Sequence, residues 1–291
     1  MTMCNARGLF AFIAPCMLPL TAFAQDWNDT SMPRPATTTS EEAAPKARLR
    51  LGFDYPLRTN AAGAVGAGTQ GTPAVSPTLQ AELRITPASY WFAGITFYRY
   101  LYSDRQQPWN PDFTYTFGYD DWHPNTFSLV YGNYSGNRLD PGAGETHSRF
   151  RQGNWSLGYK FRMHEALDPI FKIDEKDEVS CSVNANVTPR YTDLRTLSIK
   201  KYKRSVSLGC RYMLPNNLYA NLTAFRYVDR SQQQPWDPDF TYGFGYFDWR
   251  PGTITIQYNN YAGNRFPWRD RNSGQGGFRR GSVSISWSKS W

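Results

Sequence analysis

Two segments of the chain carry the same polar chemistry. Gln106-Gln107-Pro108-Trp109 is followed by Asp112, with Asn137-Arg138 further on; Gln233-Gln234-Pro235-Trp236, Asp239 and Asn264-Arg265 repeat the set. An indole face stacks on a sugar ring, and amide, carboxylate and guanidinium groups take its hydroxyls. Trp109, Asp112, Asn137, Arg138, Trp236, Asp239, Asn264 and Arg265 are therefore candidate ligand contacts. The competing reading is mechanical: Pro-Trp and Gly-Asn fix a loop and close it over what lies beneath.

A second set is basic. Arg48, Arg50, Arg84, Lys160, Arg162, Arg190, Arg211 and Arg280 fall on one parity of the segments that hold them, together with Asp54, Glu82 and Asp120. If that parity faces a polar hollow, its charges must be paired or hydrated. They then form either an ion-pair network that plugs a narrow bore or a basic track that attracts anionic solutes.

Nucleophilic chemistry is thinner. The chain has 3 histidines, and only His147, beside Ser148, neighbours a hydroxyl in an arrangement worth testing. A serine nucleophile needs its base within hydrogen-bond reach and a third group to orient that base. No metal-ligand spacing is present, and no Gly-rich phosphate loop follows a strand and opens a helix, so neither metal nor cofactor is expected. The net charge of +8 comes without a basic helix, zinc spacing or RNA-binding motif. Anionic lipid heads or an anionic solute fit it better than nucleic acid.

The elements that position these groups begin after an export signal. Arg7 supplies a basic start, Gly8 to Leu20 is apolar, and Ala22-Phe23-Ala24 has the form of a cleavage site, which assigns residues 1–24 to a signal peptide. Residues 25–46 are rich in Pro, Thr and charge without periodicity, the composition of a flexible periplasmic lead-in. No later run reaches the ~18 apolar residues of a spanning helix. Cys181 and Cys210 outlast signal removal; an oxidising compartment would permit a bridge between them, and two unbridged thiols is the alternative.

Residues 106–138 recur as 233–265: Trp109 and Trp236, Tyr131 and Tyr258, and Arg138 and Arg265 are each 127 positions apart. This predicts a domain of two similar halves, 47–163 and 178–291, each with six strands. Strands are expected over 47–56, 78–86, 90–102, 113–122, 125–134 and 150–163, then 178–191, 204–213, 217–229, 239–249, 252–261 and 280–291. Their connections alternate long and short, apart from 164–177, a longer joint between the halves with room for a helical turn. That alternation is the asymmetry of a barrel with external loops and periplasmic turns.

Alternation along the strands gives the second indication. Phe240, Tyr242, Phe244 and Tyr246 share one face, with Thr241, Gly243 and Gly245 on the other. A water-soluble sandwich would hide the aromatic face; a barrel in lipid would turn it outward and line its lumen with the polar one. The last strand, Val283-x-Ile285-x-Trp287-x-x-x-Trp291, resembles the assembly signal of Gram-negative outer-membrane β-barrels.

That resemblance implies a closed twelve-stranded antiparallel transmembrane barrel over 47–291. It also implies contacts with outer-membrane lipid and lipopolysaccharide, and recognition by the barrel-assembly machinery through the strand ending at Trp291. In size and lumen charge the chain is similar to twelve-stranded channels for acidic oligosaccharides. Three functions stay open: a channel or binding protein for polar, anionic solutes including oligosaccharides; a plugged accessory barrel of an envelope or exopolysaccharide system; and a surface lipid hydrolase. Outer-membrane phospholipases place His and Ser two apart on one strand face, a spacing that His147-Ser148 breaks.

Overall fold

A computed structural model describes residues 46–57, 76–103, 106, 110–134, 136–143, 146–164, 166, 168–193, 196, 198–234, 237–248, 250–261, 263–269 and 277–291. The signal peptide and nearly all of the lead-in lie outside the described residues.

Runs of aromatic and β-branched residues with period-two alternation form strands because such side chains pack well on a pleated surface. Twelve result: β1 Ala47–Pro56, β2 Thr78–Ala88, β3 Trp91–Tyr100, β4 Phe113–Asp120, β5 Thr126–Asn133, β6 Asn154–Arg162, β7 Glu178–Asp193, β8 Ser198–Met213, β9 Leu218–Tyr227, β10 Phe240–Tyr246, β11 Ile254–Asn260 and β12 Ser282–Ser290. Each pairs antiparallel with the next, and β12 returns to β1, where Leu51 lies opposite Trp287. Closure leaves the sheet without a free edge. A single helical turn, α1 (Asp168–Phe171), lies in the connection before β7.

The two faces of the wall are inverted relative to a water-soluble protein. Phe127 is 64% exposed and Leu222 55%, whereas Ser207 is 1% exposed and Gln257 2%. Leu51, Leu83, Leu157, Ile254 and Ile285 share the outer surface; Asn184, Thr223, Thr241 and Ser286 are buried inside. An apolar exterior around a polar interior is the distribution of a transmembrane barrel. No helix among the described residues is long and apolar enough to cross a membrane.

Both ends of the barrel wall are defined by the chain. At the near end lie Ala47, Trp291, the short turns and the longer connection that holds α1; at the far end lie the other long connections. Near-end turns repeat one design. The Thr126 hydroxyl donates to the carbonyls of Asp121 and His123, and the Thr253 hydroxyl donates to those of Asp248 and Arg250. Asp121 and Asp248 each accept the backbone N–H two residues on, at 3.0 Å, the Asx-turn use of aspartate.

Strand boundaries differ from the sequence expectation in two ways that bear on the site. β8 begins at Ser198 instead of 204, because residues 198–203 pair with the end of β7, Thr192 lying opposite Ile199. Their lysines give the segment the composition of a loop, yet Ile199 and Tyr202 are good strand formers. β7 and β8 therefore run 16 residues each, while the other strands have 7 to 11. Beyond Val187, opposite Trp155 of β6, and Ser205, opposite Tyr227 of β9, they pair only with each other as a projecting ribbon. The second difference is that 3₁₀ turns, Phe150–Gln152 and Phe278–Arg280, precede β6 and β12. Arg280 thus stands on a far-end 3₁₀ turn and not on the strand to which the sequence assigned it.

Candidate functional site

The inward face of the near half of the barrel collects charge. Arg48 and Arg50 on β1 both reach Glu82 on β2, at 3.4 and 3.9 Å. Arg84 lies 3.6 Å from Asp120 at the end of β4, and its guanidinium sits 3.7 Å from the centre of the Phe92 ring. Lys160 on β6 also donates to Asp120, and to the Asp121 carbonyl at 3.0 Å. Arg211 on β8 lies over the Tyr219 ring at 5.1 Å. Such rings accept a cation through their negative faces. Six basic residues (Arg162 is the sixth) therefore share a belt with Glu82 and Asp120, and Glu178 opens β7 on the same parity.

Between these groups is a hollow lined by Lys160, Arg162, Arg211, Trp122, Asn221 and Thr223, among others. Arg162, the last residue of β6, is exposed and makes no ion pair among the described residues. The hollow therefore has three basic side chains in its wall, of which Lys160 is paired with Asp120. Arg190, the remaining expected member, is opposite Lys201 in the projecting ribbon, beyond the last β6 pairing. It belongs to the far mouth and not to this belt.

Sequence parity missed a second charged layer at the far end. Lys203 of β8 donates to both carboxylate oxygens of Asp237 at 3.0 Å, with both side chains buried. At this end the duplicated loop segments, one in each half, share a set of bonds. Gln106 Nε2 donates to Asp112 at 2.6 Å and Gln233 Nε2 to Asp239 at 2.8 Å. The Asp112 and Asp239 N–H groups donate to the carbonyls of Asn137 and Asn264. Arg138 donates to Asp112 at 3.0 Å; Arg265 sits 3.9 Å from Asp239, which Arg269 approaches at 3.3 Å. The Asn137 and Asn264 amides donate to the carbonyls of Asn133 and Asn260. Burial pulls the Arg265 guanidinium below its ordinary pKa despite those carboxylates.

The polar groups expected to meet a ligand in these loops are thus engaged with the loops themselves. Trp109 and Trp236 lie outside the described residues. His147 and Ser148 also diverge: the histidine ring meets the Arg138 carbonyl at 3.2 Å, while the Ser148 hydroxyl lies 3.0 Å from that of Tyr115 and accepts from Asn133. Cys181 and Cys210 lie directly opposite each other on β7 and β8 and are bonded as a disulfide.

Wall and lumen together define a class: a closed, twelve-stranded antiparallel barrel with an apolar exterior and a charged interior. No family model matches the chain, and no curated protein matches it in sequence. Among solved structures it is similar to an outer membrane channel from Pseudomonas putida F1, with a TM-score of 0.43 and 11% identity over 87% of this chain and 98% of that one. It is also similar to Salmonella typhi OmpF in complex with daunomycin, with a TM-score of 0.36 and 7% identity over 84% of this chain and 97% of that one. A third likeness is to OccK11 of Pseudomonas aeruginosa, with a TM-score of 0.31 and 11% identity over 84% of this chain and 95% of that one.

Proposed function

We propose that this protein is a non-enzymatic outer-membrane channel, exported by its N-terminal signal, that draws small polar anions through its lumen. The observation that carries this reading is the cationic hollow of the near-end belt, where Arg162 lies exposed and Lys160 and Arg211 share the wall. Fixed cations in a low-dielectric lumen raise the local concentration of anions and lower their entry barrier. Small solutes suit the site better than polymers, because Arg50, Lys160, Arg211 and Asn184 are all buried by their lumen neighbours.

Saccharide contact at the outer loops gains no support from Asp112, Arg138, Asp239 and Arg265, whose bonds go to the loops. A plugged accessory barrel is the second reading, favoured by the two cations that converge on Asp120.

Planar-bilayer conductance of the refolded mature protein separates the two. The channel reading expects a conducting, anion-selective pore whose selectivity falls in R162Q and inverts in R162E/R211E. A folded barrel that passes no current gives the accessory reading and overturns this one.

A further inference from the structure

Arg204 and Arg226 face outward from the barrel near the foot of the projecting ribbon. On β8 the outward positions run Leu208, Val206, Arg204; on β9 they run Leu222, Ala224, Arg226. Leu208, Val206 and Leu222 are exposed apolar side chains, so both columns begin in the lipid-facing band. At one level they change from apolar to cationic. Val206 lies opposite Arg226, and the Val228 N–H donates to the Arg204 carbonyl at 3.1 Å. The two arginines are therefore diagonal neighbours on one face of an antiparallel pair, within reach of a shared group. Both are exposed, and among the described residues neither makes an ion pair. Asp229 is the nearby acid: its carboxylate accepts the Ser231 N–H at 2.8 Å and feels the Lys200 and Arg204 charges.

Two guanidinium groups at the upper margin of an apolar band meet the plane where a bilayer carries its phosphates. Guanidinium forks bind phosphate oxygens in pairs, with more geometric specificity than an ammonium. We infer that Arg204 and Arg226 form a clamp for a phosphate of a lipopolysaccharide molecule in the surrounding outer leaflet. The partner is a lipid and not a free solute, because the residues lie outside the barrel and continue the lipid-facing columns. The repeat is unequal here: Arg99 corresponds to Arg226, but Pro77 stands where the partner of Arg204 would be. Arg99, exposed on β3, is then a single contact and not a clamp.

The test uses the full mature barrel refolded in detergent, titrated with fluorescent lipid A carrying both phosphates and with the same lipid dephosphorylated. R204Q/R226Q should bind the phosphorylated lipid about thirtyfold more weakly, from two interfacial cations lost together. R99Q should change binding by less than about threefold, and dephosphorylated lipid A should bind wild type no better than it binds the double variant. Heat-modifiable migration on gels confirms that each variant is folded, and R204K/R226K should recover only part of the affinity. Phosphate-independent binding, or a folded double variant within about twofold of wild type, overturns the clamp. The result is independent of conductance, so a non-conducting barrel leaves it intact.

Discussion

Lys203 of β8 holds Asp237 of the neighbouring β9–β10 connection, each carboxylate oxygen accepting at 3.0 Å, with both side chains only 8% exposed. Asp237 is further bound to its own loop through the Gln234 N–H at 2.9 Å, and Arg265 donates to its carbonyl. The pair thus fastens the 233–239 loop to the root of the ribbon. Removing one partner strands a buried charge, which costs about 3–5 kcal/mol, whereas removing both avoids most of that penalty. Asp237→Ala should accordingly lower unfolding free energy in lipid vesicles by about 3 kcal/mol, and Lys203→Met/Asp237→Leu by much less. Equal losses in the single and double variants, measured by urea titration, would show that the loop is held by something else.

The barrel itself was legible because its signal is local. Period-two alternation with aromatic residues identifies each strand, and parity then sorts lumen from lipid, as with Arg84 and Lys160 against Leu83 and Tyr159. Where local composition and pairing disagree, parity fails. Residues 198–203 look like a charged loop, but their partners at 188–193 complete a ladder that no window around them contains. Arg280 differs in another way: a 3₁₀ turn, and not a strand, holds it. The duplicated loops show the deepest limit. Gln, Asp and Arg are the groups that bind a sugar, and they are also the groups that bind one another, so residue type alone leaves both readings open. Spacing could have favoured the second, since Gln106 and Gln233 each lie six positions before the aspartate they hold.

The Cys181–Cys210 bond joins residues 29 positions apart near the open end of the β7–β8 hairpin, three rungs from the Glu178–Met213 pair. Cross-linking such a loop restricts the unfolded chain by about 3–4 kcal/mol in the chain-entropy model. Cys181→Ser/Cys210→Ser should lose up to that amount, as should wild type unfolded in reductant, with the folded barrel and its strand content unchanged by circular dichroism. A reductant-insensitive midpoint in wild type would mean that the bridge does not form in the refolded protein.

Arg250 donates to Asp248 from its backbone N–H at 3.0 Å and from its guanidinium Nε at 2.9 Å. The side-chain bonds from Arg250 hold the Asp248 carboxyl below its ordinary pKa, against the opposing effect of burial. A carboxylate with a depressed folded-state pKa releases its proton more readily in the folded chain. Its contribution is complete above the ordinary carboxylate pKa of about 4 and is lost as pH falls through the lower, folded value. Wild type should therefore exceed Asp248→Asn in urea midpoint at pH 7, and the gap should narrow steadily below about pH 4. A gap that stays constant down to pH 2 would assign the effect to shape and not to charge.

Tyr131 is fully buried on the outer face of β5, stacked 4.5 Å from Phe150 and set edgewise against Trp155 at 5.0 Å. Its hydroxyl donates to the Phe150 carbonyl at 2.6 Å, which draws the ring across Gly153. A β-carbon on Gly153 would stand where the end of that ring lies, and Tyr258 covers Gly281 in the same way, its hydroxyl donating to Phe278 at 2.7 Å. Both glycines enter a strand directly after a 3₁₀ turn, so the covering ring fixes the point where turn becomes strand. Gly153→Ala should cost about 1–3 kcal/mol through overpacking, because the ring is pinned at its hydroxyl and cannot swing clear. Tyr131→Leu should carry its own cost from lost packing and a lost hydrogen bond, and it also removes the obstacle. The double variant should then be more stable than the sum of the single losses predicts, by more than about 0.5 kcal/mol. Strict additivity in that cycle would mean that the ring and the glycine do not meet, and the same cycle at Tyr258 and Gly281 should give the same sign.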